Sequence, residues 1–449
     1  MAARKMLAGL AALALMAIGV AACGGSSVSN TGLGTTKGKI TLTVQSGDGG
    51  ETGLLAGYAK LDKEFERQYP NVTVDFVTKN FTDLVNTLKL QLSGPNAPDV
   101  TQVNQGYTSM GQLVGAGLLR NLGGFATKYG WTTRQSSNEL AINGRMTADG
   151  KHFGQGNLYG MSATGAWVGV WENKKILASL GLTQPRNFIQ FEQDLAVAKD
   201  HGVIPIQYGA SDGGESIWLF ENILLAETSA DTVSKLIEAA PGSSYDSPAV
   251  MKAAATLQQW AKDGYFTPGY AAYNNSDVFA KFAAGQGLFD INGSFNTGIA
   301  KEPIASELTI IPMPSSTSSA KPAAIATGDI AWSIPSSAKY AAVAAEYINF
   351  ITSEAAAKVL ISEGQVPASG SATNLSDAGA EGIAGSAYDA IAGWNKVLNE
   401  GEALPYMDWS TPTFYNTLSA AVTELAAGQL TPSAFAAQIQ ADYSAYTKK

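Results

Sequence analysis

A single cysteine, Cys23, in a chain of 449 residues excludes an internal disulfide. Stability then rests on burial, and 45% hydrophobic residues over this length suffice for two sizeable cores. Histidine is almost as scarce. His152 and His201 stand at no metal-ligand spacing, so a zinc hydrolase is not expected, nor any metal site. Charged residues make up only 15% of the chain and balance to a formal −9, with no run of lysine or arginine. Such an acidic chain is not expected to bind nucleic acid or to adhere electrostatically to anionic lipid. The stretch Gly32 to Lys39 has a glycine and lysine pattern near that of a phosphate-binding loop, but Leu33 stands where glycine is needed and Ile40 follows Gly38-Lys39. No nucleotide or other cofactor is expected.

Only one long apolar run occurs, Met6 to Val20, preceded by Arg4 and Lys5 and closed by small residues. That is the pattern of an export signal over residues 1–22, and the run is shorter than the roughly 20 residues a spanning helix needs. At its end Val20-Ala21-Ala22-Cys23 resembles the lipobox of bacterial lipoproteins, where cleavage precedes a cysteine already carrying diacylglycerol. The resemblance implies lipidation of Cys23 and an anchor on the outer face of the cell membrane, since two or more acyl chains hold a protein stably at a bilayer. Residues 23–38 form a polar Gly/Ser/Thr stretch that reads as a flexible linker. Loss of Arg4 and Lys5 with the signal takes the net charge from −9 to −11.

Beyond the linker, Ile40 to Val44 alternates as a strand and breaks at Gly47-Asp48-Gly49-Gly50. Leu54, Tyr58, Leu61 and Phe65 then recur at helical spacing. Val72 to Phe76 predicts a second strand, Phe81 to Leu92 a helix, and Val100 to Val103 a third strand. This order is that of a parallel α/β unit. A second unit begins at the strand Ala166 to Trp171, followed by helices over 173–180 and 188–199 and a strand over 203–206. The remainder reads as richer in helix, notably over 247–262, 338–352, 412–427 and 432–446.

In open α/β sheets ligands sit beyond the carboxyl ends of the strands. The loops after Val44, Val103, Ile206 and Ile291 carry Asp48 and Glu51, then Asn104 and Gln105, then Trp218, then Asn292 and Phe295. Acids, amides and aromatics recur at the predicted mouths.

The segments Ala97-Pro98-Asp99-Val100, Leu158-Tyr159-Gly160-Met161, Phe282-Ala283-Ala284-Gly285, Asn292-Gly293-Ser294-Phe295 and Ala345-Glu346-Tyr347-Ile348-Asn349-Phe350, in this order, resemble the family 1 extracellular solute-binding proteins of ABC importers, the group that includes the maltose-binding protein. The tail Asp408-Trp409-Ser410-Thr411-Pro412-Thr413-Phe414-Tyr415 looks like actinobacterial sugar binders in particular. The resemblance implies a two-lobed α/β fold of the type II periplasmic-binding-protein kind, with three hinge crossovers and a ligand cleft between the lobes. Residues 40–160 and 313–353 are expected in lobe 1, and residues 161–312 and 354–449 in lobe 2. It further implies a monomer that delivers a sugar, an oligosaccharide by expectation, to the permease subunits of an ABC importer without catalysis. Where this family often has tryptophan, Phe295 stands here.

A pyranose offers a C–H face and a rim of hydroxyls, so aromatic rings and short polar groups suit it. The expected ligand set is Asp48, Glu51, Asn104, Gln105, Trp218, Asn292, Phe295, Asp329, Asp408, Trp409 and Tyr415. Bland readings stand beside several of these. Glu51 equally suits a helix cap, Trp218 a core position with Phe220 and Leu224, and Tyr415 packing through Phe414 and Leu418. Trp171, Trp260 and Trp394 read as core. The alternatives in function are a lipid-anchored carbohydrate-active enzyme using two carboxylates, and a receptor for peptides or other small solutes.

Overall fold

In the computed structural model, described for residues 38–447 except 136, 302, 317–320, 369–382 and 384, two sheets form the centres of two lobes. The export signal, Cys23 and all but the last residue of the linker lie outside the described residues.

The smaller sheet holds β1 (Ile40–Ser46), β2 (Val72–Thr78) and β3 (Val100–Val103). Alternation along β1 turns Ile40, Leu42 and Val44 to one face, where they join Leu54, Leu61 and Phe65 of the helix Thr52–Gln68 and Ile348 of the helix Ala341–Ile351 in one core. Leu84, Leu88 and Leu92 of the helix Phe81–Leu92 pack with Val103 in a separate cluster. A short hairpin, β4 (Arg145–Met146) with β5 (Asn157–Leu158), completes this part of the chain.

The larger sheet is built around β6 (Gly165–Asn173), nine residues buried throughout. Val168 and Val170 enter one core with helices Phe188–Asp200, Gly214–Glu227 and Pro248–Lys262, while Trp167 and Trp171 enter another with Trp394. Burial on both faces explains why Ala166 to Trp171 within this strand form an unbroken apolar run. Trp171, Trp260 and Trp394 are core residues, as expected. One edge of β6 pairs with β8 (Phe289–Gly293), which pairs in turn with β7 (Ile206–Gln207). The other edge pairs with β10 (Ala323–Gly328) and then β9 (Leu308–Ile311). β12 (Glu402–Leu404) lies beyond β10. Every neighbour of β6 is antiparallel to it, so the second unit is a mixed sheet. Of the strand expected over 203–206 only Ile206 enters the sheet, since Pro205 has no N–H to donate.

Among the described residues the chain crosses between lobes three times, at adjacent points. Met161 exchanges two backbone hydrogen bonds with Trp332, the Asp329 N–H donates to Thr164 O at 2.8 Å, and the Gly165 N–H donates to Val366 O at 2.9 Å. The expected lobe boundaries are corrected by the second and third crossings. β10 pairs with β6, so residues 323–328 belong to the larger sheet, and the chain returns to the smaller one only with β11 (Ala331–Ser333), antiparallel to β3. The helix Glu354–Ser362, assigned above to lobe 2, instead packs Ala356 and Leu360 into the smaller lobe's core, and Glu363 behind it pairs with Lys60. No helix among the described residues is long and apolar enough to cross a membrane.

Candidate ligand cleft

The carboxyl ends of β1 and β3, the second crossing and three loops of the larger lobe enclose a cavity of about 680 Å³. On the smaller lobe, the break after β1 aims Asp48 inward. Its Oδ2 accepts hydrogen bonds from Ser46 Oγ at 2.8 Å and Gln102 Nε2 at 2.7 Å, while its Oδ1 is buried without a partner. Gln102 itself is fixed by the Gly47 N–H, which donates to Oε1 at 2.6 Å. Glu51 stands just before the helix Thr52–Gln68 but makes no side-chain capping bond, and its Oε2 also has no partner. The dipole of this helix favours negative charge at its N-terminus.

Asp329, at the second crossing, accepts from the Ile330 N–H at 2.8 Å. One oxygen each from Asp48, Glu51 and Asp329 lies within 4.8 Å of the others. Burial and the Asp329 charge push Asp48 up to about 7. Burial first, then Asp48 and Asp329, hold Glu51 well above the usual carboxylate range. Burial also raises Asp329. These three oxygens are spaced closely enough to share one cation.

Asn104 and Gln105 follow β3 at the same mouth. Gln105 donates from Nε2 to Gly328 O at 3.0 Å and Asp329 O at 3.1 Å, so its amide ties the lobe to the crossing and leaves only its oxygen for a ligand.

The larger lobe supplies the rings. Trp218, near the start of the helix Gly214–Glu227, meets Phe295 edge-on with centroids 5.6 Å apart, and both line the cavity. Trp409 and Asp408 sit on one helical turn, Met407–Ser410, held where the Met407 N–H donates to Glu221 Oε2 at 2.9 Å and Tyr245 OH meets Ser410 Oγ at 2.8 Å. Burial pushes Asp408 up to about 7. Trp409 lines the cavity yet is only 2% exposed, packed edge-on against Phe153 and tilted against Tyr406. Tyr415 donates from its hydroxyl to Asp212 O at 2.6 Å.

Of the eleven residues singled out in the sequence, only Asn292 does not line this cavity. It is fully buried in β8, where its Oδ1 accepts from Asn275 Nδ2 at 3.1 Å and Asn296 Nδ2 at 2.9 Å. Asn292 therefore positions Asn275 and Asn296, which do line it. The strand is buried on both sides, so alternation gave no sign of which way that amide faces. The sequence reading missed Asp212, Asn275, Asn296 and Tyr406. Tyr406 stands two residues before Asp408, just ahead of the tail singled out above, and Asp212 lies in the glycine-rich loop after β7. No lysine, arginine or histidine among the described residues lines the cavity.

Residues 48–358 match the bacterial extracellular solute-binding protein family. The chain belongs to that family. A probable sugar-binding periplasmic protein of Mesorhizobium japonicum (strain LMG 29417 / CECT 9101 / MAFF 303099) is 24% identical over 215 residues, a match spanning 48% of this solute-binding protein and about half, 48%, of that relative. Among solved structures, a chitin oligosaccharide binding protein superposes with a TM-score of 0.74 at 21% identity, covering 92% of this chain and 100% of that one. The GacH receptor of Streptomyces glaucescens, solved unliganded and with acarbose, superposes with a TM-score of 0.74 at 15% identity over 92% of this chain and 100% of its own. At these identities the likeness establishes the two-lobed fold of the solute-binding protein, and the family is one of binding receptors.

Proposed function

We propose that this solute-binding protein is an extracytoplasmic receptor, anchored through lipidated Cys23, that captures a sugar, in the first instance an oligosaccharide, and hands it to the permease subunits of an ABC importer. The observation that carries the reading is the division of the cleft, with the rings of Trp218, Phe295, Tyr406 and Tyr415 on the larger lobe opposite Asp48, Glu51, Asn104 and Gln105 on the smaller. Rings stack on the C–H face of a pyranose for about 0.5–1.5 kcal/mol each beyond burial, and hydrogen bonds to charged groups add about 1.5–3 kcal/mol. Two rings and several such bonds, less the cost of association, reach the roughly −8 kcal/mol of micromolar affinity.

Such a ligand touches both lobes at once and therefore favours the closed state, since only differential affinity shifts a hinge equilibrium. The closed form is the one that docks on the permease, as a monomer and without chemistry on the sugar. A thermal-shift screen of the purified protein against sugars, peptides and metal cations tests the reading. A rise in melting temperature with one sugar class supports it, and a response to peptides alone sinks it.

A further inference from the structure

The cleft is one-sided in charge. Asp48, Glu51, Asp212, Asp329 and Asp408 line it, and no basic residue among those described does. Three of the five meet at one corner, with an oxygen from each within 4.8 Å of the others. Asp48 is only 2% exposed, and its Oδ1 has no hydrogen-bond partner. Glu51 Oε2, in the same corner, is likewise without one. The helix that starts at Thr52 offsets this charge only in part, because a helix N-terminus is worth about half a positive charge. A neutral hydroxyl satisfies one oxygen but leaves in place the mutual repulsion that opposes ionising the three carboxyls. A cation satisfies the oxygens and removes the repulsion together.

An ammonium nitrogen has three N–H donors, and three oxygens around it at hydrogen-bond distance lie within about 5 Å of one another. A bare metal ion fits the same spacing, but makes no use of the rest of the cavity. There the rings of Trp218, Phe295, Tyr406 and Tyr415 line space that suits an organic body, and electron-rich aromatic rings also attract organic cations. Asp408 and Asp212, on the larger lobe, add a negative field that a single ion at the opposite corner leaves unanswered.

We propose that the sugar taken by this cleft carries a protonated amino group, seated among the carboxylates of Asp48, Glu51 and Asp329. The proposal rests on the sugar-receptor reading above and sharpens it to amino sugars. Asp48 and Glu51 select the amine, and Asp329 couples its binding to the hinge, because the Asp329 backbone N–H is bonded to Thr164 of the first crossing.

The test is calorimetric titration of the full chain with matched sets of sugars: amino-deoxy mono- and disaccharides, their N-acetylated forms, and their hydroxyl counterparts. Calcium chloride alone is titrated in parallel. The expected result is that at least one amino sugar binds about tenfold or more tightly than both of its matched neutral forms. In Glu51→Gln, whose side chain makes no hydrogen bond that folding requires, the preference falls to threefold or less. Asp48→Asn, which keeps an oxygen for Ser46 and Gln102, behaves alike. Equal or tighter binding of the hydroxyl or N-acetylated form overturns the amine and leaves the sugar receptor standing. Silence with every sugar overturns both. Saturable calcium binding that is lost in Glu51→Gln makes the corner a metal site and also overturns the amine.

Discussion

Gly106 and Trp409 touch across the cleft. Gly106 holds a φ of +70°, and a Cβ placed on it would lie 2.6 Å from Trp409 Cβ and Cγ. The segment after β3 thus reaches the tail only because no side chain intervenes, and Thr108 Oγ1 adds a hydrogen bond to Asp408 O at 3.3 Å.

From that contact follows the effect of Gly106→Ala. An alanine at positive φ is strained by about 1 kcal/mol, and overpacking against a buried ring adds about 1–3 kcal/mol. The variant should melt at lower temperature and bind the ligand more weakly, because Trp409 and Asp408 are displaced together. Unchanged melting and affinity would mean that the two segments do not meet in solution.

The ring residues should separate into two kinds. Trp409, at 2% exposure, is a core residue on all but its cleft edge, so Trp409→Ala should cost about 3–5 kcal/mol of stability as well as affinity. Trp218 is only partly buried and pairs with Phe295. Trp218→Ala should lower sugar affinity about tenfold, equivalent to about 1.4 kcal/mol, with a smaller loss of stability than Trp409→Ala. Chemical denaturation and calorimetry on the two variants give both quantities.

The acidic interior predicts a pH dependence of stability. Asp48 and Asp408 are raised from 3.8 to about 7, and Asp290 from 3.8 to about 8. Between the ordinary value and the raised one, the folded state keeps protons that the unfolded chain has released. Stability from these groups is therefore complete below the ordinary value and is lost as pH rises through the raised one. The melting temperature of the ligand-free protein should fall by about 2 °C or more from about pH 5 to about pH 8. Asp408→Asn should flatten that slope, and a melting temperature that rises over the same interval would contradict the burial of these carboxylates.

How far the sequence reached depended on the range of the contacts involved. β1, its glycine break and the helix after it were legible because alternation, a turn and helical spacing are local signals, and they place Asp48 and Glu51 directly. The tail was legible through resemblance. Asp212 and Tyr406 were not read as cleft residues, because what brings them there is long-range: Tyr415 OH reaches Asp212 O across 203 positions, and Glu221 fixes Met407 across 186. The same limit misplaced β10. Its six residues are small and weakly patterned, and only pairing with Val168 and its neighbours, distant in the sequence, assigns it to the larger sheet. Asn292 was found as a motif residue and proved to be a strut, since a strand buried on both faces does not reveal where its amide points.

A sugar receptor must hold its sugar and leave it unchanged. Titration of the full chain with the best sugar from the thermal screen, followed by chromatography of the recovered ligand, tests both halves in one experiment. The expected result is a single saturable site with affinity near micromolar, weakened about tenfold in Trp218→Ala, and sugar recovered intact. Shortened sugar in the recovered sample, or binding indifferent to Trp218, would contradict it.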